Sequence, residues 1–316
     1  MSNFSVFTDP IPFECNSYLY NDFIEISKYL MTCIYLSIGL ILHIWLLKII
    51  LFTQKAHFKD STFFQLFVMD SIASSILILA EIFFDRLFMY VPPLCGIIGP
   101  IFWHPSYICK FVYLTTIHAR FTKSVAQIFM VLNRMSCVLN PIGYNQMWKR
   151  ILPTVRILVI ILPFGGSWNV WISRIVLKAV YGGFVLSYIR NVEWAPLSIF
   201  QSTYILVALA FTVICTTVTL CKMLVLPERL KATEKSLCFT SIFISITFLL
   251  VAATQILWIT CCVSDILYAL QYLAFDSFTV GSAVIVIAVN KQLRASIYPW
   301  KVSERSNSII VSVFPN

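Results

Sequence analysis

The run YICKFVYLTTIHARFTKSVAQIFMVLN, residues 107–133, decides how this chain folds. It is long enough to cross a bilayer, which takes about 20 predominantly apolar residues, yet it carries Lys110, His118, Arg120 and Lys123. Charges at bilayer depth are costly unless they face protein or water. If this segment spans, it must be the central helix of a bundle, with its polar side chains turned inward.

Outward from it, the runs 29–52, 63–88, 154–176, 198–226, 237–263 and 266–290 have the length and apolarity of spanning helices. Of the 316 residues 59% are hydrophobic and 12% charged, whereas a soluble domain is about a quarter charged. The expected fold is all-α, a seven-transmembrane-helix bundle over 29–290, with tails at 1–28 and 291–316. The connections are too short for a second domain. Only Ser264 and Asp265 interrupt the last two runs, which predicts a hairpin there. The stretch 89–106, with Pro92, Pro93, Gly96, Gly99, Pro100 and Pro105, reads as a loop of turn formers.

Lysine and arginine collect on the cytoplasmic side of membrane proteins. One set of span ends holds Lys48, Lys55, Lys59, Arg134, Lys149, Arg150, Arg156, Lys222, Arg229, Lys231, Lys235, Lys291, Arg294, Lys301 and Arg305, most of the 23 basic residues. The other holds Lys28, Arg86, Lys110, Arg174, Lys178 and Arg190. The amino terminus is therefore expected outside and the carboxyl terminus inside. The net charge of +9 then reflects lipid-facing loops, and nucleic acid is excluded as a partner. The first 28 residues are acidic, with Asp9, Glu14, Asp22 and Glu25 against Lys28, so no cleaved signal peptide is expected. Asn3-Phe4-Ser5 is a glycosylation sequon on the outer side.

Catalytic and cofactor signatures are missing: there is no His-Glu-x-x-His, Cys-x-x-Cys pair, Gly-rich phosphate loop or Gly-x-Ser-x-Gly. No catalytic residue, metal set or cofactor is expected. Cys15, Cys95, Cys109, Cys261 and Cys262 are the outer candidates for disulfides, with the pairing left open. The aromatic residues, 15% of the chain, read mainly as interface belts rather than as a cage for a cation.

At the inner end of the third run, Leu132-Asn133-Arg134-Met135-Ser136-Cys137-Val138-Leu139-Asn140-Pro141 places an Asn-Arg pair at the membrane edge with a proline seven residues after the arginine. This resembles the Asp-Arg-Tyr region of rhodopsin-like receptors, with Asn in place of the acid. Together with Tyr144, Trp148, Pro163-Phe164, Trp168 and the segment Lys231 to Cys238, it makes the chain similar to the nematode serpentine chemoreceptors, class gamma, within the heptahelical G-protein-coupled receptors. The resemblance implies a chemosensory receptor at the plasma membrane of sensory cilia. It would bind a small-molecule ligand among its helices and signal to a heterotrimeric G protein through Asn133 and Arg134. The rhodopsin-like Asn-Pro-x-x-Tyr and sixth-span proline are missing, so those hinges do not transfer.

Arg120, Lys123, Ser124, Gln127 and Arg134 fall on one helical stripe. Two readings stay open for it. His118, Arg120, Lys123 and Gln127, with Asp276 of the last run, could form a ligand pocket or polar relay that meets an acidic ligand. Alternatively the charges pair internally with Glu81, Asp85 or Asp276. By resemblance Asp70, with Ser74 beside it, is a candidate cation site. The rivals to a receptor are a transporter or channel that uses the charged third helix as its pathway, and a non-signalling partner of another membrane protein.

Overall fold

The computed structural model describes residues 9–15, 20–225, 228–260 and 265–297, without the side chains of 223, 225, 228–238, 258–260, 265, 291 and 292. The Asn3 sequon, Cys261, Cys262, Pro227 and the tail beyond Ile297 lie outside the described residues, as do the side chains of Arg229, Lys231 and Lys235.

Helix α1 (Asp22–Lys48) runs on through a π turn, Ile49–Thr53, and is followed by the short α2 (Lys55–Phe58). α3 (Thr62–Ala80), the π turn Glu81–Arg86 and α4 (Leu87–Tyr90) form one rod; α5 (Pro93–Ile98) follows. Next come α6 (Tyr107–Leu139), α7 (Tyr144–Ile172), strands β1 (Arg174–Val180) and β2 (Gly183–Ile189), α8 (Leu197–Val225), α9 (Glu228–Thr260), α10 (Asp265–Val289) and α11 (Lys291–Ile297). Among the described residues six stretches are long and apolar enough to cross a membrane: Asp22–Thr53, Thr62–Tyr90, Tyr144–Ile172, Leu197–Lys222, Phe239–Leu257 and Ile266–Val289. α6, 33 residues long, is too polar to count among them and packs against α3, α7, α8 and α9. It is the central helix that its charges require.

The burial pattern is that of a protein in lipid. α1 turns Thr32, Leu36, Gly39, His43 and Leu46 inward, while Leu30, Met31, Ile34, Ile38 and Ile41 face out. In water such a face would be a large unpartnered apolar patch; in a bilayer the tails cover it. This is a multi-pass integral membrane protein.

Three sequence expectations are corrected. α1 starts at Asp22 rather than at 29, because Asn21 Oδ1 accepts the backbone N–H of Phe23 at 3.0 Å and caps the helix. The fourth span starts at Tyr144 rather than at 154, since Trp148 is buried and donates its indole N–H to Ser136 Oγ at 2.6 Å. It also ends at Ile172, before the expected 176. Between it and the next helix the mostly helical chain carries one two-stranded sheet: β1 and β2 pair antiparallel, Arg174 opposite Ile189 and Val180 opposite Gly183.

Tyr181 and Gly182, with φ of 53° and 79°, make the two-residue turn whose twist matches the strands of a hairpin. The hairpin lies tightly on α4. A Cβ on Gly183 would stand 2.0 Å from the carbonyl oxygen of Phe88, so only glycine fits. Of the candidate cysteines, Cys15 and Cys95 are joined across 80 residues, while Cys109 is free and buried. The bridge fastens the segment before α1 to α5, and Phe13 meets Phe184 of the hairpin edge-on at 5.7 Å.

Candidate functional site

Two buried polar clusters lie beside α6, one above the other. In the cluster nearer the hairpin, Arg120 donates to Glu81 Oε1 at 2.7 Å and lies 3.8 Å from Asp85. Arg86 donates through Nε to Glu81 Oε2 at 3.1 Å and through its terminal nitrogen to Asp276 Oδ2 at 2.9 Å. Tyr35 donates to the same Asp276 oxygen. The π turn Glu81–Arg86 makes this possible. Its i→i+5 bonding brings residues five apart toward one face, so Glu81 and Arg86 meet where an ordinary α-turn would separate them. Arg86, placed by sequence among the outer-side cations, is instead buried here at 3% exposure, its guanidinium 3.8 Å from the centre of the Tyr272 ring.

The second cluster surrounds Lys123, which is fully buried. Its ammonium donates to Asp70 Oδ1 and to Ser74 Oγ, both at 2.8 Å, and to Ser282 Oγ at 3.2 Å. Gln127 also donates to Asp70 Oδ1, at 3.0 Å, and Ser282 to Asp70 Oδ2 at 3.0 Å. The position beside Asp70 and Ser74 that the sequence offered to a cation therefore holds the chain's own ammonium group. His43 closes the cluster, with Nδ1 3.2 Å from Ser71 Oγ and Nε2 3.1 Å from the carbonyl oxygen of Thr279.

The predicted relay thus splits in two. Arg120 and Asp276 join the upper cluster through Glu81 and Arg86, and Lys123 and Gln127 join the lower one through Asp70. His118 belongs to neither: its ring lies 4.4 Å from that of Phe164 on α7. Sequence reasoning missed His43, a lone imidazole in an apolar run, and the partners of Lys123. It also counted Arg86, at a span end, among the outer-side cations.

At the far end of α6 a three-membered ring of hydrogen bonds joins α3, α6 and α7. Asn133 donates to Thr62 Oγ1 at 2.8 Å, Tyr144 donates to Asn133 Oδ1 at 3.0 Å, and Thr62 and Tyr144 are 2.8 Å apart. With Tyr144 donating to Asn133, Thr62 is left to donate to Tyr144. An amide can both donate and accept here, which a carboxylate could not. Arg134 is buried, its guanidinium 4.2 Å from the centre of the Phe63 ring.

Between the hairpin and helices α6, α8, α9 and α10 lies a cavity of about 420 Å³, within the usual range for small-molecule sites. Asp85 and Arg120 of the upper cluster line it, with Tyr113, Tyr188, Gln255 and Tyr272.

With the central helix, the cavity beside the hairpin and the Asn-Arg pair near the other end of α6 described, the chain can be set beside known proteins. The Srg family chemoreceptor profile matches residues 29–297. The chain belongs to the Srg chemoreceptor family. Serpentine receptor class gamma-17 of Caenorhabditis elegans is 51% identical over 281 residues, covering 88% of each chain. Serpentine receptor class gamma-15 of the same organism is 49% identical over 302 residues, covering 94% of each. Serpentine receptor class gamma-5 is 37% identical over 317 residues, 99% of this chain and 98% of that one. The family is one of chemoreceptors and not of enzymes. In this Srg chain both buried clusters touch α6, the one helix that reaches from the cavity to Arg134.

Proposed function

We propose that this chain is a G-protein-coupled chemosensory receptor. Seven helices span the plasma membrane with the amino terminus outside, a small molecule binds in the cavity beneath the hairpin, and the end of α6 that carries the buried Asn133 and Arg134 couples to a heterotrimeric G protein. The observation that carries this reading is the cavity itself, which Arg120 lines from the same helix that carries the Asn-Arg pair near its other end. Arg134 lies about 21 Å along α6 from Arg120, at 1.5 Å per residue. Rotation or sliding of one packed helix is a known means of carrying a signal over such a distance. A ligand acts by binding one arrangement more tightly than the other. Two features support the orientation. The Cys15–Cys95 bridge belongs in an oxidising compartment, and the basic residues gather at the other set of helix ends.

A transporter or channel would need the charges of α6 to line a path. Lys123 is instead closed in by Asp70, Ser74 and Ser282.

Two measurements test the proposal. In intact cells with both ends tagged, the amino terminus should be accessible and Asn3 glycosylated while the carboxyl terminus is hidden; both ends on one side would refute an odd number of spans. Arg134→Ala should reach the surface at normal level and lower guanine-nucleotide exchange on a co-expressed G protein about 5–150-fold, the range of a coupling energy of roughly 1–3 kcal/mol. Unchanged exchange would remove Arg134 from the coupling surface.

A further inference from the structure

The upper cluster does not balance. Glu81, Asp85 and Asp276 bring three carboxylates against the two guanidiniums of Arg86 and Arg120. Arg86 is engaged by Glu81 and Asp276, and Arg120 is held by Glu81 at 2.7 Å. Asp85 is left with Arg120 at 3.8 Å and accepts no hydrogen bond among the described residues. Its side chain is 16% exposed, and it is the one acidic residue among those lining the cavity.

A second group in the same cavity also lacks a partner. Gln255, 5% exposed, has a side-chain N–H group with no hydrogen-bond acceptor among the described residues. A buried polar group left in this state is costly, and native proteins rarely keep one without a use. The lining also includes Tyr113, Tyr188 and Tyr268, besides Tyr272, on whose ring Arg86 already sits, and tyrosine faces attract cations. Of the cations that line the cavity, Arg120 is held by Glu81, and Lys178 on β1 and Arg190 just after β2 are exposed, where solvent and salt screen them.

We infer that Asp85 anchors a protonated amine, and that the ligand of this receptor is a small organic cation whose second, oxygen-bearing end accepts from Gln255. The inference rests on the cavity being the ligand site. It assigns to Asp85 the cation that the buried cluster lacks, and to the tyrosines the cage around it.

The test reads the sign of the potential at the cavity floor without needing the natural ligand. Gln271 lines the cavity. Gln271→Cys, expressed in intact cells, is treated from outside with a trimethylammonium-bearing and a sulfonate-bearing methanethiosulfonate, with the parent chain as the control for native cysteines. Relative to a free thiol in solution, the cationic reagent should be favoured about 10-fold, the lower end of electrostatic focusing in a cleft. Adding Asp85→Asn should abolish that preference, and adding Asp85→Glu should keep it. Surface labelling of each variant shows that it has folded and been exported. A preference for the sulfonate, or a ratio unmoved by Asp85→Asn, overturns the amine and leaves the cavity as the site of another ligand class. If neither reagent reaches Cys at 271, the cavity reading fails and the amine anchor with it.

Discussion

Lys123→Met is expected to destabilise the bundle by about 3–5 kcal/mol, the usual cost of removing one member of a buried ion pair. Both Lys123 and Asp70 are wholly enclosed, so the orphaned carboxylate has no water to turn to. Gln127 and Ser282 would still donate to it and soften the loss without replacing a charge. Methionine fills the same length and removes the ammonium, so the cost is electrostatic rather than a cavity. The check is the thermal unfolding of the detergent-solubilised receptor. The double variant Lys123→Met with Asp70→Leu should regain most of the loss, because replacing both ions by apolar groups is often neutral or better. If the single and double variants are equally unstable, packing of the lysine stem and not the ion pair holds this region.

The second large effect is expected at the hairpin end. Cys15→Ser opens the bridge that closes an 80-residue loop. For a chain unfolding in water the loop entropy alone is worth about 4–5 kcal/mol. Here α1 and the α3–α4 rod stay in the bilayer even when the tertiary fold is lost, so the unbridged state is already confined and about 2–3 kcal/mol is expected. The loss should be local, because the bridge joins only the segment before α1 to α5. Hydrogen exchange at 93–102 should speed up while that of α6 stays slow. Cys95→Ser and the double variant should match Cys15→Ser, since either change removes the same bond. A double variant markedly less stable than both singles would mean that the thiols pack independently of the bridge.

Neither effect could be anticipated in full from sequence, and the reasons differ. For Lys123 the choice was visible: a charged stripe on a spanning helix must meet either water or internal partners. The partner itself was not visible, because Glu81, Asp85 and Asp276 were as available as Asp70. For the cysteines the outer set was narrowed to five, and geometry chose two. The hairpin was hidden by its neighbours, since its alternation is short and abuts apolar helices on both sides. The π turn left no mark at all, and without it Arg86 at a span end reads as one of the outer-side cations.

The sequence by itself determined that the chain is a helical membrane protein, that residues 107–133 lie in the middle of it, and which end gathers the basic groups. These are sums over about 20 residues in a solvent that tolerates no unpaired backbone, so no single side chain can overturn them. The tertiary structure alone decided which charges meet. Lys123 and Asp70 are 53 residues apart and Arg86 and Asp276 are 190 apart, and an ion pair forms only if two helices agree in depth and rotation to within about an ångström. Hydropathy does not carry that information. Packing does, and it is packing that sets Asp85 in the cavity wall with Arg120 3.8 Å away while Glu81 holds that guanidinium at 2.7 Å.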